Sequence, residues 1–145
     1  MFDRVLVAVD GSDRALAALE LAVGIQNKFE SELLILCVYR HHSLLEGSMS
    51  MVRPEEPENL DDSMRDFAGN VVEKAKSFAA ERGAKGVRGY IKSGPPARMI
   101  VKFAKDKKAN LIVLGSRGLG DIEGFLLGSV SHKVTSLAGC PVMVV

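Results

Sequence analysis

The sequence predicts one α/β domain built on a parallel sheet with helices on both faces. Three observations carry this. Apolar residues alternate along the chain between a strand-like and a helix-like period. Three of five strand-like runs are apolar at nearly every position, as strands covered on both faces must be. The length, 145 residues, suits a single ordinary domain that buries its own core.

The first strand is VLVAV, residues 5–9. Its setting, MFDRVLVAVDGS, lacks the long apolar core and small-residue cleavage site of a signal peptide, so a strand is expected and export is not. Ser12 is placed to cap a first helix, in which Leu16, Leu19 and Val23 share one stripe. LLILCVY, 33–39, is the second strand. A second helix is expected from Ser63 to about Arg82, with Phe67, Val71, Val72, Ala75, Phe78 and Ala79 inward and Gly83 as its stop. VRGYI, 87–91, is the third strand, and prolines 95 and 96 suit the opening turn of a third helix to Asp106, with Ile100, Val101, Phe103 and Ala104 inward. LIVLG, 111–115, is the fourth strand. A fourth helix should begin near Gly128 with Val130, Val134 and Leu137 on one side, before a last strand VMVV, 142–145.

The order is β-α-β-α-β-α-β-α-β, which right-handed crossovers wind into a sheet ordered 3-2-1-4-5 or 2-1-3-4-5. Either places ligands at the C-terminal strand ends. One connection, residues 40–62, is far longer than the usual 4–6 residues or so. A lid, a partner-binding loop and a disordered insertion all fit it.

Composition narrows the function. The chain is 47% apolar and 26% charged, as a soluble globular protein is, and no apolar run approaches the ~18 residues of a membrane span. Basic and acidic residues number 19 and 18, which leaves no electrostatic footprint for nucleic acid or an anionic membrane. Cys37 and Cys140 match neither metal-ligand spacing nor a disulfide framework, and read as buried thiols in a reducing cytoplasm. His41 and His42 are adjacent, so a strand would point them apart; they read as loop surface rather than a metal pair.

The chemistry concentrates in GSRGLGDIEGFLLGSVS, residues 115–131, which carries five glycines. It runs from the C-terminal end of the fourth strand to the start of the fourth helix, where α/β sheets bind small molecules. Ser129 and Ser131, with the unsatisfied N–H groups of a first helical turn, suit an anion such as phosphate. The glycines permit positive φ and close backbone approach. Arg117, inside the segment, is a cation that can meet phosphate; His132 reads as an exposed first-turn residue. Neither a G-x-G-x-x-G fingerprint after the first strand nor a P-loop lysine is present.

The spacing Gly115-x2-Gly118-x9-Gly128-Ser129 resembles the nucleotide-binding pattern of the universal stress protein family. The likeness extends over the whole chain, 1–145, as one domain, and is strongest at VLVAVDGSDRALAALELAV and NLIVLGSRGLGDIEGFLLGSVSHKVTSLAGCPVMVV. It implies the order 3-2-1-4-5, binding of ATP or another adenine nucleotide as in the ATP-binding subgroup, and a homodimer paired through the last strand, 142–145. By position it implies that Ala8, Val9 and Val38 hold the adenine end, with Val38 offering backbone groups to the base. Leu114, Gly115, Arg117 and Gly118 would pass beneath ribose and phosphates, and Gly128, Ser129, Val130 and Ser131 would hold the phosphates. Asp10, beside a polyphosphate, is expected to accept a ribose hydroxyl or hold Mg²⁺, or else to cap the turn before the first helix.

With no evident general base, the expectation is a cytoplasmic nucleotide-dependent sensor or regulator, open to a regulatory protein partner and with at most slow turnover. A slow ATP hydrolase or phosphotransferase and a nucleotide-free dimeric scaffold are the alternatives.

Overall fold

The computed structural model describes residues 1–40, 57–118 and 128–145. Strands β1 (Arg4–Ala8), β2 (Glu32–Tyr39), β3 (Arg88–Ser93), β4 (Leu111–Leu114) and β5 (Val142–Val144) form one sheet ordered β3-β2-β1-β4-β5. All four pairings are parallel, with Ala8 beside Leu36 and Val7 beside Val113. Helices α1 (Asp13–Phe29), α2 (Pro57–Glu81), α3 (Pro96–Asp106) and α4 (Ser129–Leu137) connect them.

Alternation along the strands divides the core into two layers. Val5, Val7, Leu33, Ile35, Cys37, Leu111 and Val113 pack with α1 and α2 on one face. Leu6, Leu34, Leu36, Ile112 and Leu114 pack with α3 and α4 on the other. The central strands are buried on both sides, whereas edge strand β3 is mostly exposed and β5 is half-buried along its length.

Helix α1 starts as expected: the Ser12 hydroxyl accepts from the Ala15 N–H at 3.2 Å and Asp13 sits in the positive first turn. Its buried face is made largely by Ala15, Ala18, Leu19, Ala22 and Val23, while Leu16 is only half-buried. Alanines bring this helix close to the sheet.

Three sequence expectations are corrected. Helix α2 begins at Pro57 rather than Ser63, so part of the supposed 40–62 connection is helical. The rest, 41–56 with His41 and His42, lies outside the described residues. Phe67 is 55% exposed, because the inward face centres on Ala68, Val72, Ala75 and Ala79 and Phe67 stands about 100° round the helix from Ala68. Leu137 is 54% exposed; Ser131 and Val134 point inward, and Ala138 takes the inner position at the helix end.

Among the described residues, no helix is long and apolar enough to cross a membrane.

Candidate functional site

Helix α1 follows β1 over one face of the sheet, and α4 follows β4 over the other. Because β1 and β4 are neighbours, the chain parts in opposite directions beyond their C-terminal ends and a crevice opens between them. A cleft of about 280 Å³ lies there. It is lined by Ala8, Val9, Asp10, Val38, Leu114, Gly115, Arg117, Gly118, Gly128, Ser129, Val130 and Ser131, so the residues that the family resemblance points to come to one place. Residues 119–127, within the glycine-rich segment, lie outside the described residues.

The wall on the β1 side depends on a turn. Asp10 Oδ1 accepts the Ser12 N–H at 2.9 Å, and Gly11 between them has φ +91°, a conformation that disfavours a side chain. The turn-capping role of Asp10 is therefore real, and the carboxylate still lines the cleft.

Val38 contributes its backbone. The Val9 N–H donates to the Leu36 carbonyl at 2.9 Å, and the Gly94 N–H donates to the Tyr39 carbonyl at 2.9 Å. Backbone groups alternate sides along a strand, so those of Val38 share the direction of Leu36, toward β1. By that level β1 has turned away, and they open on the cleft.

Among the described glycines of the segment, Gly115 and Gly118 serve by lacking a side chain rather than by adopting positive φ. A Cβ on Gly115 would stand 2.9 Å from the Arg14 carbonyl carbon, so the chain leaving β4 packs directly on the first turn of α1. A Cβ on Gly118 would overlap Asp10 Oδ2. Gly128 has φ −68° and stands as the N-cap of α4.

A hydrogen-bonded clasp closes the base of the α4 loop. The Ser116 carbonyl accepts from both the Gly128 N–H and the Ser131 hydroxyl, and the Ser116 N–H donates to the Val145 carbonyl at 2.7 Å. Ser131 is only 2% exposed, and its hydroxyl reaches the carbonyls of Ser116 and Gly128 at 3.2 and 3.1 Å. Ser131→Ala should lower stability by about 0.5–2 kcal/mol in urea unfolding, because it removes the hydroxyl donor to these carbonyls. Ser129→Ala, at an exposed neighbour, should change it by less than about 0.5 kcal/mol. Equal effects would contradict the clasp.

The opening turn of α4 leaves its first N–H groups without intrahelical partners; among the described residues, those of Ser129, Val130 and Ser131 have none elsewhere. With the helix dipole they form an anion-favouring end. Among the described residues no group of three or more His, Cys, Asp or Glu could hold a metal ion, and His132 is exposed and outside the cleft lining.

The sequence did not anticipate Ala15, Leu36, Arg40, Pro96, Ile100 and Ser116 as lining residues. Alternation from Val38 could have found Leu36 and Arg40, two positions either side. Pro96 and Ile100 arrive only through the packing of α3.

Cys37 lies beneath this region, 4% exposed. Burial, and secondly the negative charge of Asp10, push its thiol up to about 11 from an ordinary value near 9, so it stays protonated and unreactive at neutral pH. A raised folded-state value stabilises the fold fully below pH 9, and that contribution disappears as pH rises through about 11. Stability should therefore fall by on the order of 2 kcal/mol across that window, since each pH unit between the two values is worth up to ~1.4 kcal/mol. Urea midpoints measured against pH should show a shallower fall in Cys37→Ala; identical slopes would refute the assignment.

Comparison with known proteins places the architecture. The model of the universal stress protein family matches residues 1–145. Universal stress protein YxiE of Bacillus subtilis is 40% identical, with 100% of this chain and 99% of that protein covered. Universal stress protein UspA from Lactobacillus plantarum superposes with a TM-score of 0.86 at 28% identity, covering 99% of this chain and 97% of that one. A universal stress protein crystallised in complex with cAMP has a TM-score of 0.73 at 29% identity, over 99% of this chain and 97% of that one. With the family model matched end to end and a 40% identical relative aligned over 99% of its length, the chain belongs to the universal stress protein family.

Proposed function

We propose that the protein binds ATP, or another adenine nucleotide, in the cleft between β1 and β4 and acts in the cytoplasm as a nucleotide-dependent sensor or regulator. The observation that carries the reading is the convergence on one cleft of Val38, Asp10, Gly115, Gly118 and the opening turn of α4. A relative's complex with cAMP supports the ligand class.

In this reading the Val38 backbone meets the base edge, with Ala8 and Val9 beside it. Leu114, Gly115 and Gly118 run beneath the sugar and phosphates. The N–H groups of Ser129, Val130 and Ser131 receive phosphate oxygens, the Ser129 hydroxyl adds a donor, and Arg117 adds charge. Asp10 accepts a ribose hydroxyl or supplies one oxygen to Mg²⁺. A single carboxylate suits that ion, which commonly takes one or two together with phosphates and water. Mg²⁺, when bound, neutralises phosphate charge beside this carboxylate. Val142, Met143 and Val144, on the half-buried edge strand β5, pair with the same strand of a second copy.

ATP at about 100 times its Kd should stabilise the protein by about 2.7 kcal/mol, a rise of roughly 5–10 °C in Tm. Mass spectrometry of molecules released on denaturation should name the resident nucleotide, and sedimentation of the same sample should give twice the 15.6 kDa chain mass. No shift with any adenine nucleotide would end the binding reading, and a single-chain mass would end the dimer.

A further inference from the structure

Of the cleft residues for which neither the glycine pattern nor the family resemblance accounts, Arg40 is the charged one among those described. It stands one residue beyond β2, two beyond Val38, and lines the same cleft as Asp10 and Arg117. The sheet order fixes the arrangement of these charges. Arg40 lies past the end of β2, Asp10 past β1 and Arg117 past β4, and these three strands are consecutive neighbours. Strands lie about 4.8 Å apart, so the two arginines flank the carboxylate from strands about 10 Å apart.

Some arginines on the surface have partners: Arg4 pairs with Glu32, Arg82 with Glu20, and Arg65 donates to the Tyr39 hydroxyl at 3.3 Å, whereas Arg14, Arg88 and Arg98 have none among the described residues and lie away from the cleft lining. Among the described residues, Arg40 and Arg117 have no ion pair and no hydrogen bond. Among the described residues, the charged ones lining the cleft are Arg40, Arg117 and Asp10, an excess of one positive charge around a floor of Leu36, Ile100 and Leu114. A cleft with low-dielectric walls and a net charge of one sign concentrates ligands of the other.

We propose that Arg40 selects for ligand charge, favouring phosphate-bearing adenine nucleotides over the uncharged nucleoside from the side of Asp10 opposite Arg117. This inference rests on the nucleotide-binding reading above. Arg40 is exposed, so its action is that of a rim cation, sensitive to salt rather than dependent on a buried pair.

The test measures Kd by calorimetry for adenosine, AMP and ATP with wild type, Arg40→Gln and Arg40→Lys. Arg40→Gln should weaken AMP and ATP by about 3- to 5-fold at low ionic strength, the size of a favourable exposed charge pair. Adenosine should change by less than about 2-fold, and the loss for ATP should shrink as salt rises from about 0.05 to 0.5 M. Arg40→Lys, which keeps the charge, should restore most of the affinity. Equal losses for adenosine and ATP would overturn the proposal, as would unchanged ATP binding in Arg40→Gln. Either outcome leaves nucleotide binding by the wild type standing; a wild type that binds none of the three ligands removes both readings.

Discussion

Replacing Gly115 with alanine should destabilise the protein by about 1–3 kcal/mol or more, the range for forcing atoms into a packed interior. The added Cβ would lie 2.9 Å from the Arg14 carbonyl carbon and from Arg14 Cβ, and 3.1 Å from the Arg14 carbonyl oxygen. Those atoms belong to the first turn of α1, which the Ser12 cap and the contacts of Ala15 and Ala18 hold against the sheet. A flexible side-chain end could swing aside; helix backbone moves only by shifting the helix. The shift would also spread the walls of the cleft, since Gly115, Asp10 and Ala15 all line it. Gly24→Ala supplies the opposite sign. Gly24 lies inside α1 with nothing within 4 Å of an added Cβ, so alanine there should stabilise by about 0.5–1 kcal/mol through helix propensity. Urea unfolding of the two variants checks both signs, and a Gly115→Ala protein as stable as wild type would show that α1 and β4 do not meet as described.

Leu36→Ala should lose about 2–5 kcal/mol, the usual cost of emptying a fully buried leucine site. Leu36 is 0% exposed, pairs in register with Ala8 and Tyr90, and packs in the α3 and α4 layer. It is also part of the cleft floor, so the same side chain closes the core and shapes the site. Leu137→Ala is the matched comparison, because Leu137 is 54% exposed and surface substitutions shift stability by about 0.5 kcal/mol or less. Chemical denaturation of the pair should separate them by more than about 1.5 kcal/mol. Similar losses would mean that cleft solvent already reaches Leu36.

Much of this site was legible because its elements announce themselves locally. Ser12 as a cap, the doubly buried strands and the glycines after β4 are short-range signals, and each one belongs to a segment that reaches the cleft. The failures have a common form. Phe67 and Leu137 read as inward in the sequence because they are large and apolar at a permissible spacing, yet helix faces are set by angle. Small residues, Ala68 and Ser131, took the positions against the sheet. Ser131 reads in the sequence as a phosphate ligand; its hydroxyl is directed at two backbone carbonyls, and that assignment depends on where Ser116 lies.

By itself the sequence determined the alternation of strands and helices, the two-faced core and the glycine-rich segment whose described ends line the cleft. These follow from backbone periodicity and residue stereochemistry, which act over a few positions. The choice between the two sheet orders was left open by periodicity, and the sheet decided it by pairing β1 with both β2 and β4. Only that adjacency sets Asp10 between Arg40 and Arg117 and makes Gly115 answerable to Arg14, about a hundred residues earlier, while the packing of α3 brings Pro96 and Ile100 to the cleft. Contacts at such separation are created by crossover direction and by helices packing on particular faces, and neither is encoded in a local pattern.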